Sequence, residues 1–159
     1  MREIRSPGRY AKVWDEAQFI HIIRDGRDVA ASQLMGHGNW GYGDIEEAAR
    51  NWQNIILQSR RNSSELSYTE VKYEDIVAEP EETLRGVCKF LKIRWSKKLL
   101  THEKQKHDFY DTKIAHPSRE ASKKEINSSA VGRFKRDLNE SQIELFNNIA
   151  GDMLESLGY

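Results

Sequence analysis

The densest chemistry in the sequence lies between Ile22 and Ser32, Ile-Ile-Arg-Asp-Gly-Arg-Asp-Val-Ala-Ala-Ser. The run from Gln18 to Arg24 is apolar and β-branched, too short for a typical helix, and passes straight into Asp25-Gly26. It reads as a buried strand that delivers a guanidinium at its carboxyl end. Arg27 to Met35 then reads as a short packed helix through Val29, Ala30 and Ala31, with Asp25 able to cap its start and Asp28 suited to the positive end of its dipole. A strand turning directly into a helix suits a phosphate. Free amides and the dipole attract the anion, Arg24 can add a bidentate fork, and Ser32 can donate a hydroxyl from the same helix. On local chemistry alone a second reading stands beside this one: Arg24 and Arg27 pair with Asp25, Asp28 or other carboxylates and only fix the turn.

Other elements must position that junction. Gly36 to Gly43 holds four glycines and two aromatics and reads as a loop able to line a pocket. From Asp44 to about Arg61, Ile45, Ala48, Ala49, Trp52, Ile55 and Ile56 recur at spacings of three and four, the mark of a helix with one buried face. Leu66 to Tyr73 reads as a second strand, with Glu74-Asp75 as turn or cap residues. Pro80 sits where a first helical residue belongs, followed by a stripe of Leu84, Val87, Cys88 and Leu91. Beyond a helix around Lys97 to Lys106, residues 96 to 129 read mostly as loop. Asn139 with Gln142 forms a capping-box pattern ahead of Ile143, Phe146, Ala150, Met153 and Leu157, an amphipathic closing helix. Strands alternating with helices predict an α/β fold with a parallel sheet, in which ligands bind beyond the carboxyl ends of the strands. Arg24 and Tyr73 occupy those ends. Tyr73 has a structural alternative, its ring in the core and its hydroxyl on a neighbour.

Composition narrows the classes. Lys plus Arg and Asp plus Glu number 25 each, so no global field marks a nucleic-acid or membrane partner, and any anion site is local. The single cysteine, Cys88, excludes an internal disulfide, and neither a secretory apolar segment nor a long apolar run is present; the expectation is a soluble, cytoplasmic protein. No repeat, low-complexity tract or polar linker divides the 159 residues, which read as one domain. The histidines, His21, His37, His102, His107 and His116, and Cys88 show no metal-ligand spacing. A kinase catalytic loop at Ile23-Arg24-Asp25 is excluded, because Ala30 stands where its asparagine belongs.

The string IIRDGRDVAAS closely resembles the 3′-phosphate-binding segment of the sulfotransferases that use 3′-phosphoadenosine 5′-phosphosulfate (PAPS), in which an arginine precedes a serine by eight positions, here Arg24 and Ser32. Val71-Lys72-Tyr73-Glu74-Asp75-Ile76 with the Pro80 helix resembles the family's YED segment, which implies Tyr73 near the adenine. Ser128 to Arg136 resembles its late glycine and basic segment, which folds over the 3′-phosphate and implies roles for Ser129, Gly132 and Arg133. Asn127-Ser128-Ser129 stand where some members carry Arg-Lys-Gly, leaving Arg133 and Lys135 as the substitutes for that positive charge. The resemblance runs from about Arg5 to Tyr159. It implies a P-loop-NTPase-like parallel sheet flanked by helices, PAPS as donor without a metal, and a small-molecule or glycan hydroxyl or amine as acceptor.

The family's early loop for the phosphosulfate, a glycine-containing turn with a lysine or arginine, has no counterpart here, nor has a G-x-x-x-x-G-K-[ST] cradle. Arg5-Ser6-Pro7 resembles the stretch just before the 3′-phosphate strand, so the resemblance implies a domain truncated at its N-terminus by about a third. Uncovered sheet edges and faces would then favour a homodimer or a rearranged fold. Two functions follow: a sulfotransferase in which Arg5, Arg9 or a partner's basic group reaches the bridging oxygen, or a non-catalytic module that binds only the 3′-phosphoadenosine half. No histidine matches a catalytic position of the family.

Overall fold

Residues Gln18–Ile23 form strand β1, in which Phe19, His21 and Ile23 turn towards the core while Ile20 and Ile22 remain exposed. The computed structural model describes residues 12–34, 41–61, 63, 66–104 and 124–159. Helix α1, Gly26–Leu34, follows β1 after a two-residue turn, and α2, Ile45–Arg61, leads back to the sheet. Strand β2, Ser67–Lys72, pairs parallel with β1 in a register that sets Gln18 opposite Ser67 and Ile23 opposite Lys72. Parallel pairing demands a crossover between the strands, and α1 with α2 supplies it. Among the described residues the sheet has these two strands.

The chain divides into two compact units, Met1–Tyr73 with Ser129–Tyr159, and Glu74–Ser128. The first unit contains the sheet, α1, α2 and the closing helix α6, Glu140–Ser156. Asn139 caps α6 through the reciprocal bonds of a capping box: its side chain accepts from the Gln142 amide at 2.9 Å, and its own amide donates to Gln142 Oε1 at 2.9 Å. The core of this unit centres on Phe146 and Ile56, with the rings of Trp52 and Phe146 tilted at a centroid distance of 5.8 Å. A Cβ on Gly26 would sit 2.5 Å from a ring carbon of Trp52 and 2.6 Å from one of Phe146, so the first residue of α1 lies hard against that aromatic pair. The stripe expected on α2 is observed at Ile45, Ala48, Ala49, Trp52 and Ile56 and carried one turn further by buried Ser59, while Ile55 is only half-buried.

Tyr73 belongs to helix α3, Tyr73–Ala78, whose first turn carries Glu74 and Asp75; the segment expected to end as a strand therefore turns helical one residue early. Within Glu74–Ser128, α4 spans Pro80–Phe90 with the proline in its first turn, buries Cys88, and stacks the Arg85 guanidinium over the Trp95 ring at 4.6 Å. The helix expected over Lys97–Lys106 is a 3₁₀ segment, Lys97–Lys104, broken by the non-helical backbone of Thr101 (φ −126°, ψ 42°). A short helix, α5 at Phe134–Asp137, was not foreseen. Met35, the loop expected over Gly36–Gly43 up to Trp40, and residues 105–123 lie outside the described residues.

Candidate functional site

Because the strands run parallel and in register, their carboxyl ends are level, and the next residues, Arg24 and Tyr73, emerge side by side. The guanidinium carbon of Arg24 lies 4.9 Å from the centroid of the Tyr73 ring. A guanidinium over a ring face at this distance is attracted by the ring's quadrupole, about 0.5–1 kcal/mol where water has access.

Three further contacts hold Arg24. Its backbone carbonyl accepts from Trp52 Nε1 at 3.1 Å, its Nη2 lies 3.3 Å from Asp28 Oδ2, and the same Nη2 donates to the carbonyl of Ala130. Nε is buried and finds no acceptor among the described residues. Buried donors are nearly always satisfied, so this one marks a place for an acceptor that the described residues do not provide. Arg27 differs. Its amide, Nε and Nη2 all go to Asp25, at 2.9, 3.0 and 2.8 Å, and its guanidinium stacks 4.4 Å over the Phe134 ring. Asp25 thereby caps α1, as the sequence implies, and fixes the turn. Carboxylate pairing thus accounts for the polar contacts of the Arg27 guanidinium and for part of those of Arg24.

Asp28 lies in the first turn of α1, where its charge suits the helix dipole, and it pairs with Arg24, but its larger role is one that sequence reasoning missed. It is fully buried, and its two oxygens hold the late loop, Oδ1 accepting from the Phe134 amide at 2.9 Å and Oδ2 from the Gly132 amide at 2.8 Å. No local signal announces a partner more than a hundred residues away.

The late loop arrives at α1 through this carboxylate. Gly132 has φ +71° and open space where a Cβ would be, so glycine is needed there for the left-handed backbone and not for clearance. Ser32 lies one turn beyond Asp28 and hence on the same face of α1, where it is exposed. Ser129 is exposed as well. Arg133 is turned to Asp137, with Nε and Nη2 both 2.8 Å from Oδ2, and Arg136 holds the other carboxylate oxygen at 2.8 Å. Hydrogen bonds from Arg136 first, then Arg133, keep the Asp137 carboxyl below the usual carboxylate range. Lys135 is exposed, its Nζ 5.9 Å from the Phe134 ring centroid. The structure therefore brings Arg24 and Gly132 to Asp28 and sets Tyr73 under the Arg24 guanidinium, places Ser32 exposed one turn along the same helix, and leaves Arg133 on the Asp137 carboxylate.

Of the histidines, His21 is bonded to Tyr68 within the sheet and His102 lies 3.8 Å from Glu103. His37, His107, His116, Arg5 and Arg9 lie outside the described residues. Among the described residues no group of His, Cys, Asp and Glu is arranged to hold a metal, and no helix is long and apolar enough to cross a membrane.

The sequence profile of the sulfotransferase family matches residues 2–97, a stretch that includes Arg24, Ser32 and Tyr73. Protein-tyrosine sulfotransferase A of Caenorhabditis elegans is 24% identical over 154 residues, 93% of this chain and 40% of that protein. Protein-tyrosine sulfotransferase 1 of Danio rerio is 28% identical over 98 residues, 58% of this chain and 28% of the relative, and the Drosophila melanogaster protein-tyrosine sulfotransferase is 24% identical over 98 residues, 58% and 20% of the two chains. The chain spans less than half the length of the relatives it matches.

Proposed function

Since the chain belongs to the sulfotransferase family, we propose that it binds PAPS and passes the sulfuryl group to a hydroxyl or amine. The observation that carries the reading is the pairing of Arg24 with Tyr73 at the level carboxyl ends of two parallel strands, with the buried Nε of Arg24 lacking an acceptor among the described residues. A phosphate oxygen is the acceptor such a donor fits, and a purine is the flat partner that a tyrosine beside a guanidinium fits. In this reading Arg24 and Ser32 hold the 3′-phosphate, Tyr73 lies against the adenine, and Ser129, Gly132 and Arg133 bring the late loop over the phosphate. Arg133 then exchanges the Asp137 carboxylate for a phosphate oxygen, a swap between two anions of similar geometry. Residues 1–159 form one domain of P-loop-NTPase-like architecture.

The acceptor oxygen or nitrogen attacks sulfur, the bond from sulfur to the bridging oxygen breaks, and its electron pair leaves on the phosphate of adenosine 3′,5′-bisphosphate while the acceptor proton passes to a base. Small-molecule and glycan alcohols suit that chemistry. The names of the relatives add a protein tyrosine.

Calorimetric titration with adenosine 3′,5′-bisphosphate against adenosine 5′-monophosphate tests the site. The expected result is a clear preference for the bisphosphate that Arg24→Ala largely removes, a loss of about 2–4 kcal/mol for a charge-assisted contact. Equal affinity for the two nucleotides refutes the assignment. Transfer of radiolabelled sulfate from PAPS to a panel of alcohols, phenols and amines then separates an enzyme from a module that only binds the nucleotide.

A further inference from the structure

Asp28 is fully buried, yet none of its contacts serves the interior of α1. Both oxygens face backbone amides of the late loop, and one of them also faces Arg24, whose Nη2 reaches the loop a second time through the Ala130 carbonyl. We propose that Asp28 is a positioning residue for donor recognition: it locks the backbone of Gly132 to Phe134 and the Arg24 guanidinium into one arrangement, so that the groups facing the 3′-phosphate are presented together. The proposal rests on the nucleotide reading above and extends it to a residue that need not touch the ligand.

The chemistry demands a carboxylate. Two N–H donors arrive at two different oxygens, at 2.9 and 2.8 Å, and a guanidinium stands 3.3 Å from the second. An asparagine of the same shape accepts at one position only and turns an N–H₂ towards a donor at the other. The replacement therefore opens the latch with almost no change in volume. Loss of the latch frees the loop on one side and the guanidinium on the other. An anion must then order both groups as it binds, which weakens its affinity.

The test compares the wild-type chain with Asp28→Asn by calorimetry for adenosine 3′,5′-bisphosphate and adenosine 5′-monophosphate, alongside hydrogen–deuterium exchange of residues 129–137 and of α6. The expected result is faster exchange at 129–137 with α6 unchanged, and a bisphosphate affinity lowered about tenfold while the monophosphate affinity stays where it was. A role confined to general stability weakens both nucleotides alike and overturns the proposal, as does an Asp28→Asn protein that keeps the full preference for the bisphosphate. If Asp28→Asn does not fold, Gly132→Val takes its place. A β-branched residue is strained at φ +71° but meets open space, so it deforms the loop while leaving α1 and Asp28 intact. The same selective loss is expected, and an unchanged preference overturns the proposal. A wild type without any preference for the bisphosphate brings down the nucleotide reading and this role with it. Failure confined to the two variants brings down this role alone.

Discussion

The Tyr68 hydroxyl lies 2.8 Å from Nδ1 of His21, across the two parallel strands. Tyr68 donates its own proton to Glu70 Oε1 at 2.9 Å, so the imidazole must supply the proton at Nδ1. Arg60, in the last turn of α2, holds both Glu70 oxygens, with Nε at 2.8 Å and Nη2 at 2.7 Å. The four side chains tie α2 to the sheet on the face that carries Ile23. Burial above all lowers the pKa of His21 from its ordinary 6.5; Glu70 opposes the shift and Arg60 adds to it. The Arg60 hydrogen bond is the first cause that holds Glu70 below its ordinary 4.5.

Stability should therefore fall on acidification. The folded chain resists a proton on His21 that the unfolded chain accepts, so the contribution is complete above pH 6.5 and drains away as the pH falls below it. Glu70 adds a loss in the same direction, beginning near pH 4.5 and continuing through its lowered folded pKa. Urea midpoints measured from pH 8 to 5 should decrease for the wild type and decrease less for His21→Gln. Parallel curves for the two proteins would remove His21 as the source.

Gly26→Ala is expected to destabilise by about 1–3 kcal/mol, because its methyl would meet ring carbons of Trp52 and Phe146 at 2.5 and 2.6 Å in a packed interior. Chemical denaturation measures the loss. A neutral effect would mean that the two rings can retreat together.

Phe146→Ala removes a side chain with no exposed surface and should cost about 3–5 kcal/mol in the same assay. Its ring packs on Trp52, whose Nε1 holds the Arg24 carbonyl, so nucleotide affinity should fall in the folded fraction too. Unaltered affinity would show that Trp52 keeps its place without its neighbour.

Asn139→Ala breaks the capping box of α6 and should lower stability by about 1 kcal/mol. Thermal unfolding reads this as a lower midpoint, and Asn139→Asp, which retains an acceptor, should recover most of it. A midpoint unmoved by alanine would assign the start of α6 to packing alone.

Features set by near neighbours were legible in the sequence. The three-and-four spacing of Ala48, Ala49, Trp52 and Ile56 marked α2, Asn139 with Gln142 marked the start of α6, and a β-branched run ending in Arg24 marked β1 with its junction. What was missed depends on partners far along the chain or on local competition. Asp28 looks like any acidic residue in a first helical turn until Gly132 and Phe134 arrive. Gly26 reads as a turn residue, and only the packed structure shows the aromatic pair pressing on it. Tyr73 carries strand propensity, yet Glu74 and Asp75 behind it favour a helical start, and the helix wins. Thr101 breaks a segment whose composition gave no warning.

The bonds from Asp28 to Gly132 and Phe134 join residues 104 and 106 positions apart, from α1 to the late loop and the first residue of α5. Contacts of that span are the slowest to form, because the long intervening chain must be ordered before they yield anything. A molecule that has made its sheet and first helices but not docked its C-terminal stretch owns the arginine without the surroundings that give it selectivity. On the nucleotide reading proposed above, binding of adenosine 3′,5′-bisphosphate should report completion of the whole topology, and during refolding it should be the last property regained.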